Sequence, residues 1–243
     1  MNWLGKVRPE QSRGTRPAST AGSAGVSTLA AHKQGTAAAK SASSNLRLSN
    51  GLKDFLWLLS DLERGCLLDL GPVSQATVSF FTERNFKVYT EDLLRSWKEF
   101  LRGEEQRLRS SPVGTAEEME PSALAERFLE SNLRHPEATF DAVLAWDVLD
   151  YLDEALLPRA VKRLCGLLRP GGVALAIFHS RAPEGFHRYR VHDAQNIELL
   201  PAAQLFPSQR VLQNREILKL FEGFQSSKTF VGRDQLREAL FTK

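Results

Sequence analysis

The stretch RGCLLDLGPVSQATVSFFTERNFKVYTED, residues 64–92, decides the reading of this 243-residue chain. An apolar run of Cys66, Leu67 and Leu68 ends in Asp69. A tight turn with Gly71 and Pro72 follows, then a short helical pattern, then a second strand-like run that ends in Glu91 and Asp92. The interval from Gly71 to Glu91 is 20 residues. This is the layout of a nucleotide-binding βαβ unit, in which the turn meets a ligand and the acid grips a ribose. Such turns usually hold two or three glycines. Here Pro72, Val73 and Gln75 stand where small residues are expected, and Pro72 has no N–H to donate.

Working outward, Leu52, Phe55, Leu56, Leu59 and Leu62 recur at helical spacing before the first strand. Within the unit the helix is expected over 74–84, with Ser74 as its cap, and the second strand over 86–90. Downstream, 93–108 reads as a helix and 110–121 as a loop insertion rich in Pro and Gly. Residues 122–129 read as a helix whose end turns into a short third strand. FDAVLAW (140–146) and VALAIF (173–178) read as fully buried strands, separated by an amphipathic helix that closes at RPGG (169–172). Strands alternating with helices imply a parallel sheet. After residue 180 the pattern changes: 186–200 suggests a hairpin, 211–221 a helix, and 226–231 with 236–241 a closing strand pair.

Charge and composition narrow the function. Residues 1–48 hold seven Lys/Arg and one acid; the remainder holds 25 Lys/Arg and 28 Asp/Glu. The first segment is therefore +6 and the rest −3, so the ordered part lacks the basic footprint of a nucleic-acid reader. Segment 1–48 is rich in Ala, Ser, Thr and Gly and is expected to be a disordered tail, with 49–243 as one domain. No apolar run reaches the length of a membrane span. Cys66 and Cys165 read as buried, reduced thiols in a cytosolic protein. The Arg/Ser-rich, acid-poor tail leaves an organellar address as the alternative. The cysteines and scattered histidines have no metal-binding spacing.

Four segments together, LLDLGP (67–72), the acidic end of VYTED (88–92), FDAVLAWDVLDYL (140–152) and LLRPGGVALAIF (167–178), resemble the class I S-adenosylmethionine-dependent methyltransferases. The resemblance runs from about Leu52 to the C-terminus. It implies an α/β, Rossmann-like three-layer sandwich around a mostly parallel seven-stranded sheet with an antiparallel C-terminal strand, and S-adenosyl-L-methionine as cofactor. It also implies methyl transfer to a small-molecule or protein acceptor. That reaction is an in-line displacement which the protein promotes mainly by positioning. The glycine-poor turn leaves one alternative open, a non-catalytic binding or scaffold protein on the same fold.

In that frame Asp69 accepts from the cofactor's amino group, and Gly71 lets the main chain approach it. The helix start at Ser74 faces its carboxylate, and Glu91 holds the ribose hydroxyls. Glu130 is the candidate for the adenine amino group. Asp147, after the FDAVLAW strand, is a candidate for cofactor contact or as a base, and otherwise a helix cap. His179 ends the VALAIF strand at the same edge and is the second candidate base. His187, Tyr189 and His192 fall in 181–210, read as a lid or substrate-selecting insert. Trp146 and Tyr151 are candidates to wall the adenine or acceptor pocket, with core packing the expected role of Trp146, and Asp141 is expected to order its strand.

Overall fold

The computed structural model describes residues 45–110, 120–232 and 234–243. The candidate loop insertion and most of the tail lie outside these residues.

The first strand of the decisive stretch is β2 (Gly65–Asp69) and the second is β3 (Phe86–Thr90), joined by α2 (Gln75–Thr82). The Ser74 hydroxyl caps α2 by accepting from the Thr77 N–H at 3.4 Å. Next come α3 (Leu93–Ser110), α4 (Pro121–Asn132), β4 (Phe140–Trp146), α5 (Leu156–Leu167) and β5 (Leu168–His179). Ahead of this unit lie β1 (Leu46–Leu48) and α1 (Asn50–Leu58). After it come β6 (Phe186–Val191), β7 (Asn196–Ala202), α6 (Asn214–Leu220), β8 (Ser226–Val231) and β9 (Leu236–Thr242).

The main sheet has six strands in the order β3-β2-β4-β5-β9-β8. Strands β3, β2, β4 and β5 are parallel, β9 runs antiparallel to β5, and β8 pairs antiparallel with β9. The expected seventh strand is absent among the described residues. Helix α4 runs on to Asn132, and residues 133–139 cross to β4 without a strand. Pro136 is one reason, since it has no N–H to offer a ladder.

Alternation along the strands builds the layers. Leu67, Ala142, Leu144, Val173, Leu175 and Ile177 join the cluster under α1 and α2. Their neighbours Leu68, Val143, Ala174, Ala176 and Phe178 join the cluster under α3 to α6. Both faces are covered, so the central strands are continuously apolar, as a parallel sheet requires.

The candidate insert is a hairpin: β6 and β7 pair antiparallel and β1 adds to the far side of β7, giving a small sheet in the order β1-β7-β6. Residues 46–48 therefore belong to the folded body, which corrects the expected boundary after residue 48. The reason is local. Arg47 pairs with Asp234 and with the buried Glu238 of β9, and Glu238 also accepts from the Gly51 N–H at 2.6 Å. Both cysteines are free and half-buried, not fully buried as expected. No helix among the described residues is long and apolar enough to cross a membrane.

Candidate functional site

The carboxyl ends of β2, β3, β4 and β5 meet along one edge of the sheet, where open α/β sheets bind ligands. Asp69 and Glu91 share that rim, because the Glu91 N–H donates to the Asp69 carbonyl at 2.8 Å. The Asp69 side chain faces inward. Its Oδ1 accepts from the Gly71 N–H at 2.9 Å and from the Trp146 indole Nε1 at 2.7 Å. Burial raises its pKa to about 6, and the two donors only partly oppose this. The Glu91 side chain meets His135, with Oε1 3.3 Å from His135 Nε2.

Trp146 is buried in the cluster under α1 and α2, as expected, and it also walls the crevice. It ends β4 with φ of +48°, a left-handed conformation uncommon for a bulky residue. That backbone turn lays the indole over the glycine turn. A Cβ added at Gly71 would lie 2.8 Å from Trp146 Cδ1, so only glycine allows this approach. The indole stacks on Tyr189 of β6, with ring centroids 5.7 Å apart and planes at 10°. The space left among Gly71, Asp92, Trp146, Asp147 and Tyr189 is a cavity of about 20 Å³. Pockets for cofactor-sized ligands run from about 300 Å³ upward. As folded here the residues do not fit S-adenosylmethionine: the indole fills the crevice and takes an oxygen of Asp69.

Behind Tyr189 lies a buried polar cluster. Asp147 Oδ2 accepts from the Tyr189 hydroxyl at 3.2 Å and from the Tyr151 hydroxyl at 3.5 Å. Asp147 makes no capping hydrogen bond to the 3-10 turn that follows it. Burial lifts its carboxyl to about pH 7, against the lowering influence of His179 and Tyr189. His179 Nδ1 pairs with Asp150 Oδ2 at 2.9 Å, and its Nε2 lies 3.8 Å from Asp147 Oδ2. Burial lowers the His179 pKa, but the hydrogen bond to Asp150 and the two carboxylates outweigh it and the net shift is upward. Arg237 of β9 closes the cluster by donating to the His179 carbonyl at 3.0 Å. Among the described residues, Asp150 Oδ1 and Arg237 Nε are buried without a partner.

The structure thus brings together Asp69, Gly71, Asp147 and His179, with Glu91 on the shared rim but engaged by His135. Ser74 spends its hydroxyl on the α2 cap. Glu130 sits exposed on α4, beside a separate cavity with Arg134 and Arg163. Asp141 orders its strand as expected: it accepts from the Cys66 N–H at 2.7 Å and pairs with Arg169. Asp150, Arg237 and His135 were not singled out in the sequence. Asp150 had a signal, being the second acid of the WDVLD run. His135 and Arg237 had none, because only folding carries them to the edge. A cavity of about 680 Å³ between α5 and α6 includes none of these residues.

No protein-family model and no curated protein matches the chain. Solved structures do. A 1,6-didemethyltoxoflavin-N1-methyltransferase from Burkholderia thailandensis, with S-adenosylhomocysteine bound, is 16% identical; the match covers 80% of this chain and 78% of that one, with a TM-score of 0.40. An S-adenosylmethionine-dependent methyltransferase from Methanosarcina mazei is 13% identical over 75% of this chain and 93% of its own, with a TM-score of 0.43. Another from Clostridium acetobutylicum is 15% identical over 79% and 90%, with a TM-score of 0.41. The architecture, four parallel strands with the antiparallel β9 beside β5 and helices on both faces, is Rossmann-like.

Proposed function

We propose that this chain transfers a methyl group from S-adenosylmethionine to a small-molecule or protein acceptor in a state where Trp146 and Tyr189 have left the crevice. The observation that carries the reading is the common rim of Asp69 and Glu91, two acids at the carboxyl ends of adjacent parallel strands. With the indole displaced, Asp69 and the Gly71 N–H are the groups available to the amino acid part of the cofactor, and Glu91 to its ribose. Asp147 and His179 lie behind the plug, within reach of an acceptor's proton once it opens. The reading includes a cytosolic setting, which rests on cysteine usage.

A second reading is favoured by the filled crevice itself: a non-catalytic scaffold in which Trp146 replaces the ligand for good. Binding of S-adenosylhomocysteine, measured by calorimetry on the wild type and on Trp146→Ala, separates the two. A closed state lowers apparent affinity by the fraction of molecules that are open. The methyltransferase reading expects binding to the wild type and tighter binding to the variant, with a raised melting temperature in both. No heat and no melting shift in either protein would remove it and leave the scaffold.

A further inference from the structure

Two helix faces frame the cavity of about 680 Å³ between α5 and α6. On α5 the wall is Pro158, Val161, Lys162 and Cys165, spaced i, i+3, i+4 and i+7. On α6 it is Glu216, Lys219 and Leu220, spaced i, i+3 and i+4. Each spacing sets one stripe of a helix, so both stripes look into the same space. Arg210, Glu222, Gly223 and Phe224 complete the lining. None of these residues belongs to the crevice at the end of β2 and β4.

The apolar part of the wall is tied to the core. Val161 is buried, and Cys165, Leu220 and Phe224 are half-buried. The Phe224 ring packs on Phe221 and on Phe241 of β9, with centroids 5.3 and 5.7 Å away. The Cys165 thiol donates to the Gly223 carbonyl at 3.4 Å, which joins α5 to the turn after α6. The volume falls in the range of cavities that hold small molecules.

The charges around it do not cancel. Arg210 Nη1 pairs with Glu216 Oε1 at 3.2 Å, so those two neutralise each other. The exposed side chains of Lys162, Lys219 and Glu222 make no ion pair or hydrogen bond among the described residues. Two free ammonium groups thus stand against one free carboxylate, beside an apolar wall.

We propose that this cavity binds an organic anion with one carboxylate on an apolar body, the body against Val161, Leu220 and Phe224 and the carboxylate between Lys162 and Lys219. One negative charge matches the excess of one positive charge, and Glu222 opposes a second. A diphosphate is a poor match, because the arginine fork that would grip it is already engaged by Glu216. The site is separate from the crevice, and the proposal is independent of methyl transfer.

The test uses the full chain, with octanoate and octan-1-ol as probes and titration calorimetry as the readout. Octanoate is expected to bind saturably, and the alcohol about tenfold more weakly, the factor that two partly exposed ion pairs supply. Lys162→Glu combined with Lys219→Glu should bring octanoate down to the level of the alcohol and leave the alcohol unchanged. Added salt should weaken octanoate alone in the wild type, which reads the same charges without a variant. Position is read by mass spectrometry of iodoacetamide alkylation: octanoate should slow reaction at Cys165 and leave Cys66, on β2, as it was. No saturable heat with octanoate, or equal affinity for acid and alcohol, would overturn the proposal. So would an unchanged Cys165 rate, or equal protection of both cysteines.

Discussion

Trp146 Nε1 donates to Asp69 Oδ1 at 2.7 Å, so an indole of the chain itself satisfies the carboxylate that ends β2. The two residues end adjacent parallel strands, β4 and β2, and both are buried. The contact joins an unusual backbone conformation to an unusual acid. Trp146 takes φ of +48° to reach Asp69, and Asp69, out of water, holds its proton up to about pH 6.

The backbone at 146 can be tested apart from the side chain. Left-handed φ costs a residue with a Cβ about 1–2 kcal/mol, and glycine almost nothing. Trp146→Ala and Trp146→Gly delete the same stack and the same hydrogen bond. Denaturant unfolding should therefore find the glycine variant more stable than the alanine variant by about 1 kcal/mol, the reverse of their order in ordinary extended strand.

The buried acids set a pH trend. In the folded chain Asp147 ionises near pH 7 and Asp69 near pH 6, both above the unfolded value of about 3.9. The folded state therefore binds more protons than the unfolded one between these limits, and stability falls as pH rises. His179, also raised, acts in the same direction: its contribution is present below about pH 6.5 and lost above its folded pKa. Unfolding free energies should decline from about pH 4 to pH 8 where these groups dominate. Asp147→Asn keeps an oxygen for the Tyr189 and Tyr151 hydroxyls but has no charge to bury. It should flatten this slope and exceed the wild type in stability at pH 8 by about 1–3 kcal/mol; a slope as steep as the wild type's would refute the assignment.

Arg47 is predicted to matter more than its place beside the tail suggests. It neutralises Glu238, whose side chain is only 2% exposed. Removing one member of a buried pair strands the other charge, at a cost of about 3 kcal/mol. Arg47→Ala should show that loss in thermal or chemical unfolding. Adding Glu238→Gln should recover much of it, because the amide oxygen still accepts from the Gly51 N–H. A double variant no better than the single one would mean that Arg47 acts through packing instead.

Much of the fold was legible. Leu67 and Leu68 alternate between the two faces of the sheet, and the runs FDAVLAW and VALAIF are long enough to be covered on both sides. Ser74 announced its cap, and the closing pair after residue 225 became β8 and β9. The third strand failed because α4 continues past the expected end and the chain then crosses at Pro136. The start of the domain was misjudged because Arg47 resembles a tail cation in composition. Its partners, Asp234 and Glu238, lie nearly 190 residues later.

The sequence by itself determined which residues reach the carboxyl edge of the sheet: strand periodicity and turn residues carry Asp69, Gly71, Asp147 and His179 there, because those are local preferences summed along the chain. What the edge holds was decided only by tertiary structure. Whether an indole beside a glycine turn lies in the core or over the turn depends on one backbone angle at Trp146 and on a hairpin that supplies Tyr189 from some 40 residues away. Neither is a local property: a side chain's destination is set by the space and the hydrogen-bond partners that distant segments leave for it.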